Sequence, residues 1–289
     1  MSKQIWGLWS RKKERDGFWN QRRKTFFWIW LAVVYVMLIL LDGWGMPPEN
    51  YGVDYGAKFI APCFSHPFGT DYMGRDMFFR SIKGLSNSIV IGVIASAVSS
   101  LFALALGVAA AVRGGIIDRF VNWCVDLCMG IPHLMLLILI SFMMGRGGKG
   151  VMIAVALTHW PELTRLVRGE VLQIRSAQYV QASYRMGKSW LEIAWQHMIP
   201  QVLPIYLIGV VLLFPHAIMH EAAITFLGFG FSPETPAIGV ILSESMNHIA
   251  TGKWWMAVFP GLLLLAAVML FDGAGENLKR LMNPNSGNE

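Results

Sequence analysis

The sequence predicts an all-α protein that crosses a membrane six times, and three observations carry that expectation. Of 289 residues, 55% are apolar and only 15% are charged, whereas a soluble domain, whose surface must face water, carries about a quarter charged residues. Six apolar stretches, 26–41, 89–112, 120–144, 151–171, 204–226 and 254–272, approach or exceed the roughly 20 residues that a helix needs to cross hydrocarbon. With the N-terminus placed inside, 17 of the 24 Lys and Arg fall on the cytoplasmic side and 7 on the other. Positive charge is retained on that face, so both termini are expected there. The net charge of +6 is then a matter of distribution across a bilayer, and no nucleic-acid partner is expected. Three Cys and the absence of a long polar tract exclude disulfide-stapled and disordered classes.

Along the chain, 1–24 is basic, with Trp6, Trp9, Phe18 and Trp19 among the Lys and Arg. It reads as a helix on the inner headgroup layer, with a frayed basic tail as the alternative. The first span runs into Leu41-Asp42-Gly43-Trp44 with no small-residue cleavage site, so no cleaved leader is expected. That span and an extracytoplasmic loop rich in Gly, Pro and Asp make up 25–85. Residues 86–280 form a five-span core that contains a cytoplasmic loop at 176–200, and 281–289 is a cytoplasmic tail.

The loop at 176–200 has its own local logic. Ser176 is the expected N-cap of a short helix over 177–186. Gly187 then stands where a helix ends in the left-handed region. Ser189 and Glu192 have the spacing of a capping box that starts a second helix, and Pro200 ends it or kinks it into the fifth span. Helix, sharp turn and helix make an elbow suited to docking against another protein. Tyr184, Met186, Trp190 and Leu191 are the expected contacts, with Arg185 and Lys188 at the rim.

Ionisable groups at membrane depth are costly and mark candidate pathway sites. His159 and Glu162 lie in the fourth span, and His216, His220 and Glu221 in the fifth. His216 and His220 are four apart, hence on one helix face, and could offer two imidazoles to one ion. The alternative is hydrogen bonding across helices. Pro161 and Pro215 stand beside these groups and loosen the backbone where a cavity or hinge is useful. Cys124 and Cys128, also four apart, read as small hydrophobes. Asp126 is expected to pair with Arg113, Arg119 or a partner helix.

Several segments resemble one family. Gln181-Ala182-Ser183, then Gly187, then His197-Met198-Ile199-Pro200, is similar to the EAA loop of binding-protein-dependent ABC importer permeases, with Gln181 for the usual Glu and Ser183 for the second Ala. His66-Pro67-Phe68-Gly69-Thr70-Asp71 with Gly74-Arg75-Asp76, Leu166-Val167-Arg168-Gly169-Glu170, Thr225-Phe226-Leu227-Gly228-Phe229-Gly230 and Phe259-Pro260-Gly261 resemble the "C" permease of the dipeptide/oligopeptide/nickel group. The resemblance implies a type I ABC importer permease fold in a prokaryotic cytoplasmic membrane. It also implies a second permease, two cytoplasmic ATPases carrying ATP and Mg, and an extracytoplasmic solute-binding protein as partners. In that family the elbow, here Gln181, Ala182, Ser183, Tyr184, Arg185, Met186, Gly187, Lys188, Trp190 and Leu191, couples to the ATPase.

No phosphate-binding loop of the Gly-x-x-x-x-Gly-Lys-Ser/Thr type exists in the chain, so no cofactor is expected on it and it is not expected to be an enzyme. Thr158-His159-Trp160 and His216-x-x-x-His220 look more like the nickel-type than the peptide-type permeases. The first expectation for the cargo is therefore nickel or a small metal chelate. Di- or oligopeptides are the alternative, and an ion-coupled carrier using the intramembrane His and Glu is a third.

Overall fold

The computed structural model describes residues 21–282, and these are helical with no named strand among them. The expected interfacial segment up to residue 20 and the tail from residue 283 lie outside the described residues. Four helices are long and apolar enough to cross a membrane, or five if one bent pair counts as a span. They are α1 (Gln21–Gly45), α2 (Met77–Arg113), the long α9 (Ile199–Phe226) with the turns that lead into it, and α11 (Trp255–Met282).

The other two expected spans are divided. Residues 120–144 fall in α3 (Gly115–Gly130) and α4 (His133–Met143), which meet at 98° across Ile131-Pro132. Pro132 has no N–H to continue the first helix and disfavours helical geometry at Ile131, which is extended at ψ 135. Residues 151–171 fall in α5 (Gly147–Thr158) and α6 (Trp160–Arg175), which meet at His159. Here the break is chemical: Pro161 cannot donate to the carbonyl of Leu157, and the indole Nε1 of Trp160 donates to that oxygen instead at 2.9 Å. The second half is amphipathic, with Glu162, Arg165, Arg168 and Glu170 outside its buried positions, so the stretch does not continue as one apolar helix.

Helix α2 is the central strut, packed against α1, α5, α6 and α9. Asp76 caps its start, with Oδ1 accepting from the Phe78 N–H at 2.8 Å. One face carries Gly84, Ser88, Gly92, Ser96, Ala103 and Gly107, all buried. Small residues on one face let helices approach where lipid supplies no hydrophobic drive. A Cβ on Gly92 would stand 2.6 Å from the Ile218 side chain of α9, and one on Gly107 2.8 Å from Val167 of α6.

At the end of the bundle where α2 begins, 46–76 folds back over α10 (Ile238–Ile249) and the start of α11. Phe68 stacks on Phe259 with centroids 4.6 Å apart. A buried ion-pair web ties the loop down. Asp71 accepts from Arg75 at 2.6 Å and from Arg80 at 3.1 Å, while Glu244 of α10 accepts from the same two guanidinium groups at 2.9 and 2.6 Å. The motif at 66–76 is therefore a brace, reinforced by His66 Nδ1 against Asp76 Oδ2 at 2.7 Å. At the opposite end, Arg168 makes a two-pronged pair with Asp118 at 2.5 and 2.7 Å. Asp126 pairs with Arg165, not with Arg113 or Arg119, because α6 folds back beside α3.

Removing one partner from a buried pair leaves an uncompensated charge. Arg80 is 2% exposed, and Arg80→Met is expected to cost about 3 kcal/mol. The readout is the midpoint of thermal unfolding followed by Trp fluorescence in detergent; an unchanged midpoint overturns the bracing role.

Candidate functional site

The interruptions of the helical ladder converge on one cavity of about 530 Å³. Its wall takes Gly130, Ile131, Pro132 and His133 from the α3–α4 bend, Thr158, His159, Pro161 and Glu162 from the α5–α6 break, and Leu213, His216 and His220 from α9 beside Pro215. Irregular backbone at membrane depth is tolerated where it lines such a cavity.

Three imidazoles meet in this wall. The ring of His133 lies 4.8 Å from that of His159 and 4.5 Å from that of His220, and His159 and His220 are 5.1 Å apart, all edge-on. His159 Nδ1 is 2.9 Å from the Val155 carbonyl, so it carries the proton and donates. Its Nε2 is then an acceptor, 3.2 Å from His220 Nδ1. His220 Nδ1 also lies 2.9 Å from the His216 carbonyl, and a single N–H shared between these two acceptors satisfies the pair. His133 Nε2 is buried and has no hydrogen-bond partner among the described residues. One ligand atom from each of the three rings lies within 4.8 Å of the other two.

The sequence-predicted pathway residues are thus separated into two groups. His159, His216, His220 and Glu162 line the cavity. Glu221 does not: it is fully buried, accepts from Thr225 Oγ1 at 2.9 Å through Oε1, and neighbours Ser88 of α2. His216 and His220 both line the cavity, as their four-residue spacing on α9 predicts. The His216 backbone oxygen accepts from His220, and the three imidazoles whose ligand atoms lie together are those of His133, His159 and His220. His133 is the residue that sequence reasoning missed. It was legible by the criterion applied to His159 and His216, an ionisable group beside a proline inside an apolar stretch.

The second candidate surface is the elbow. Helix α7 (Gln178–Arg185) ends at Met186, Gly187 turns the chain at φ 92, and α8 (Trp190–Ile193) follows. A Cβ on Gly187 would meet nothing within 4 Å, so the demand for glycine there is conformational, not steric. The expected capping box is present: Ser189 Oγ accepts from the Glu192 N–H at 3.3 Å, and the Glu192 carboxylate accepts from the Ser189 N–H at 2.9 Å. The hydrogen bond from the Ser189 backbone, and then that from its hydroxyl, holds the Glu192 carboxyl below the usual glutamate range. Ser176 is not the N-cap of α7; its hydroxyl donates to Gln173 at the end of α6, and Ala177 occupies the cap position.

The elbow has two faces. Val180, Ile193, Ala194 and Met198 are buried against Val167 and Val171 of α6 and Ala111 and Val112 of α2. On the other face Met186, Leu191 and Trp195 are about three-quarters exposed. Tyr184 is half exposed and stacks on Trp190 at 4.4 Å, and the Arg175 guanidinium lies over the same indole at 4.5 Å. Lys188 reaches Gln196 at 2.9 Å, Gln181 donates to the Arg175 carbonyl, and Ser183 is buried. Ala182 and Arg185 are exposed. Trp195 was not anticipated; an aromatic five residues beyond Trp190 was its only signal.

Comparison with known proteins places this geometry. Residues 103–284 match the family described as "Binding-protein-dependent transport system inner membrane component". A Bacillus subtilis protein named dipeptide transport system permease protein DppC is 31% identical over 225 residues, covering 78% of this chain and 70% of its own length. An Escherichia coli protein named probable D,D-dipeptide transport system permease protein DdpC is 29% identical over 258 residues, covering 89% and 86%. In fold, the chain is similar to an inward-facing structure of the MetNI methionine ABC transporter, at a TM-score of 0.58 and 20% identity over 71% of this chain and 96% of that one. The chain belongs to the inner-membrane permease family of binding-protein-dependent ABC importers.

Proposed function

We propose that the chain is one of two permease subunits of an ATP-driven importer of di- or oligopeptides, working with two cytoplasmic ATPases and an extracytoplasmic binding protein. The relatives named above support the peptide cargo, and they favour it over the nickel or metal chelate first expected from the histidine patterns. In this reading the elbow faces the cytosol, consistent with the excess of Lys and Arg assigned to that side.

The observation that carries the coupling role is the division of the elbow into a buried face locked to α2 and α6 and an exposed apolar tip of Met186, Leu191 and Trp195. Exposed apolar side chains on a polar, membrane-flanking turn need a partner to cover them. A nucleotide-driven movement of the ATPases would carry the tip, and the locked face would carry α9 and α6. The cavity at their breaks would then open alternately to the two sides. ATP chemistry stays on the partners; this chain supplies the docking tip and the gate.

The cargo is tested by reconstituting the subunits with their binding protein in liposomes. ATP-dependent accumulation of a labelled dipeptide is expected; accumulation of chelated nickel without dipeptide, or of solute without ATPases, overturns the reading. Gly187→Val forces a β-branched residue into the left-handed region. It is expected to leave insertion intact while coupled uptake falls by an order of magnitude; normal uptake removes the elbow from the mechanism. Ser189→Ala removes the cap at a cost of about 1 kcal/mol, which should speed amide exchange over 189–198 about fivefold. Since Glu192 titrates below its ordinary value in the folded chain, the box is intact above that range. The carboxylate half of the box is lost as the pH falls through the lowered value.

A further inference from the structure

We propose that His133, His159 and His220 form a binding site for a divalent transition-metal ion in the wall of the cavity, a function separate from the peptide cargo. The three rings come from three different elements, α4, the α5–α6 break and α9, and converge edge-on with centroids 4.5 to 5.1 Å apart. Metal–imidazole bonds are about 2.0–2.1 Å, which puts two nitrogens on one ion about 3.0–3.4 Å apart. His159 Nε2 and His220 Nδ1 stand at 3.2 Å.

In the metal-free state these two nitrogens share the His220 Nδ1 proton. An ion taking that place moves the proton to Nε2 of the same ring, so both imidazoles stay neutral. His220 gives up its bond to the His216 carbonyl. His159 keeps its orienting bond to Val155, the kind of outer contact that fixes which nitrogen faces a metal. An independent sign is His133 Nε2, a buried nitrogen with no hydrogen-bond partner among the described residues. A buried polar atom left unpaired is costly, and a metal would use its lone pair.

Three neutral nitrogens select among cations. Imidazole suits Ni²⁺, Cu²⁺ and Zn²⁺, whereas Mg²⁺ and Ca²⁺ take oxygen ligands. Cys128 and Glu162 line the same cavity. Because the ligands straddle two of the breaks, a bound ion would cross-link α4, α6 and α9 in one arrangement of the gate and stabilise that arrangement over others.

The test uses the full chain with its partner subunits in nanodiscs, with affinity tags removed, titrated with CoCl₂. Ligand-field absorption saturating at one ion per chain is expected. His133→Ala, His159→Ala and His220→Ala should each weaken binding by at least about tenfold, no less than losing an outer-shell partner does. His216→Ala keeps its carbonyl and should not. Absent bands, or bands unchanged in the triple variant, overturn the site. Should the variants fail to assemble, pulsed electron paramagnetic resonance on the wild-type complex loaded with Cu²⁺ counts coordinated imidazoles. Two or more support the site; one or none overturns it. The readout is binding and not uptake, so its failure leaves the peptide reading standing.

Discussion

A backbone carbonyl in hydrocarbon has no water to turn to, and this constraint decides where the helices of this protein can break. Each interruption is repaired by an identifiable group or placed against the cavity. Trp160 supplies the donor that Pro161 lacks. Pro132 stands at the cap of α4, where an N–H is dispensable. Pro215 interrupts α9 on the stretch that carries His216 and His220. Residues from the first two breaks, and from α9 on either side of Pro215, line one cavity.

That constraint also explains what the sequence disclosed and what it concealed. The apolar stretches that became α1, α2, α9 and α11 were visible because their length and composition admit one outcome. The elbow was visible because Gly187, Ser189 and Glu192 act locally, through backbone conformation and a three-residue hydrogen-bond pattern. The divided third and fourth stretches were not, although Pro132 and Pro161 were in plain view. A proline inside an apolar run permits a kinked span or a full reversal, and only packing against α2 and α9 decides. The expected N-cap at Ser176 was off by one residue for a similar reason, since a hydroxyl near a helix junction caps whichever end tertiary packing presents.

The cavity residues show the limit of periodicity. Four-residue spacing put His216 and His220 on one face of α9, yet the cluster is assembled across helices from residues 26 and 61 positions apart. Spacing along one helix speaks only for that helix. Glu221, one residue on, turns to α2 and ends in the core, so adjacency in sequence carried no information about the side facing the cavity.

Helix α9 joins the two functional regions without an intervening loop. Its lower end grows out of the elbow through five residues in π-helical winding, Ala194–Met198, and its middle carries Pro215 and His220. A π turn and a proline are the two commonest soft points of a helix. Between them, Val202 and Tyr206 are held in the same buried cluster as the locked face of the elbow. Ile193, two residues beyond the exposed Leu191, packs in that cluster with Val202, and such close-packed interiors compress little. Two prolines, Pro204 and Pro215, lie inside α9 beyond the π turn, and the second stands five residues before His220. Of these soft points only Pro215 stands on the stretch whose His216 and His220 line the cavity, while the π turn belongs to the elbow and Pro204 to the packed stretch between them.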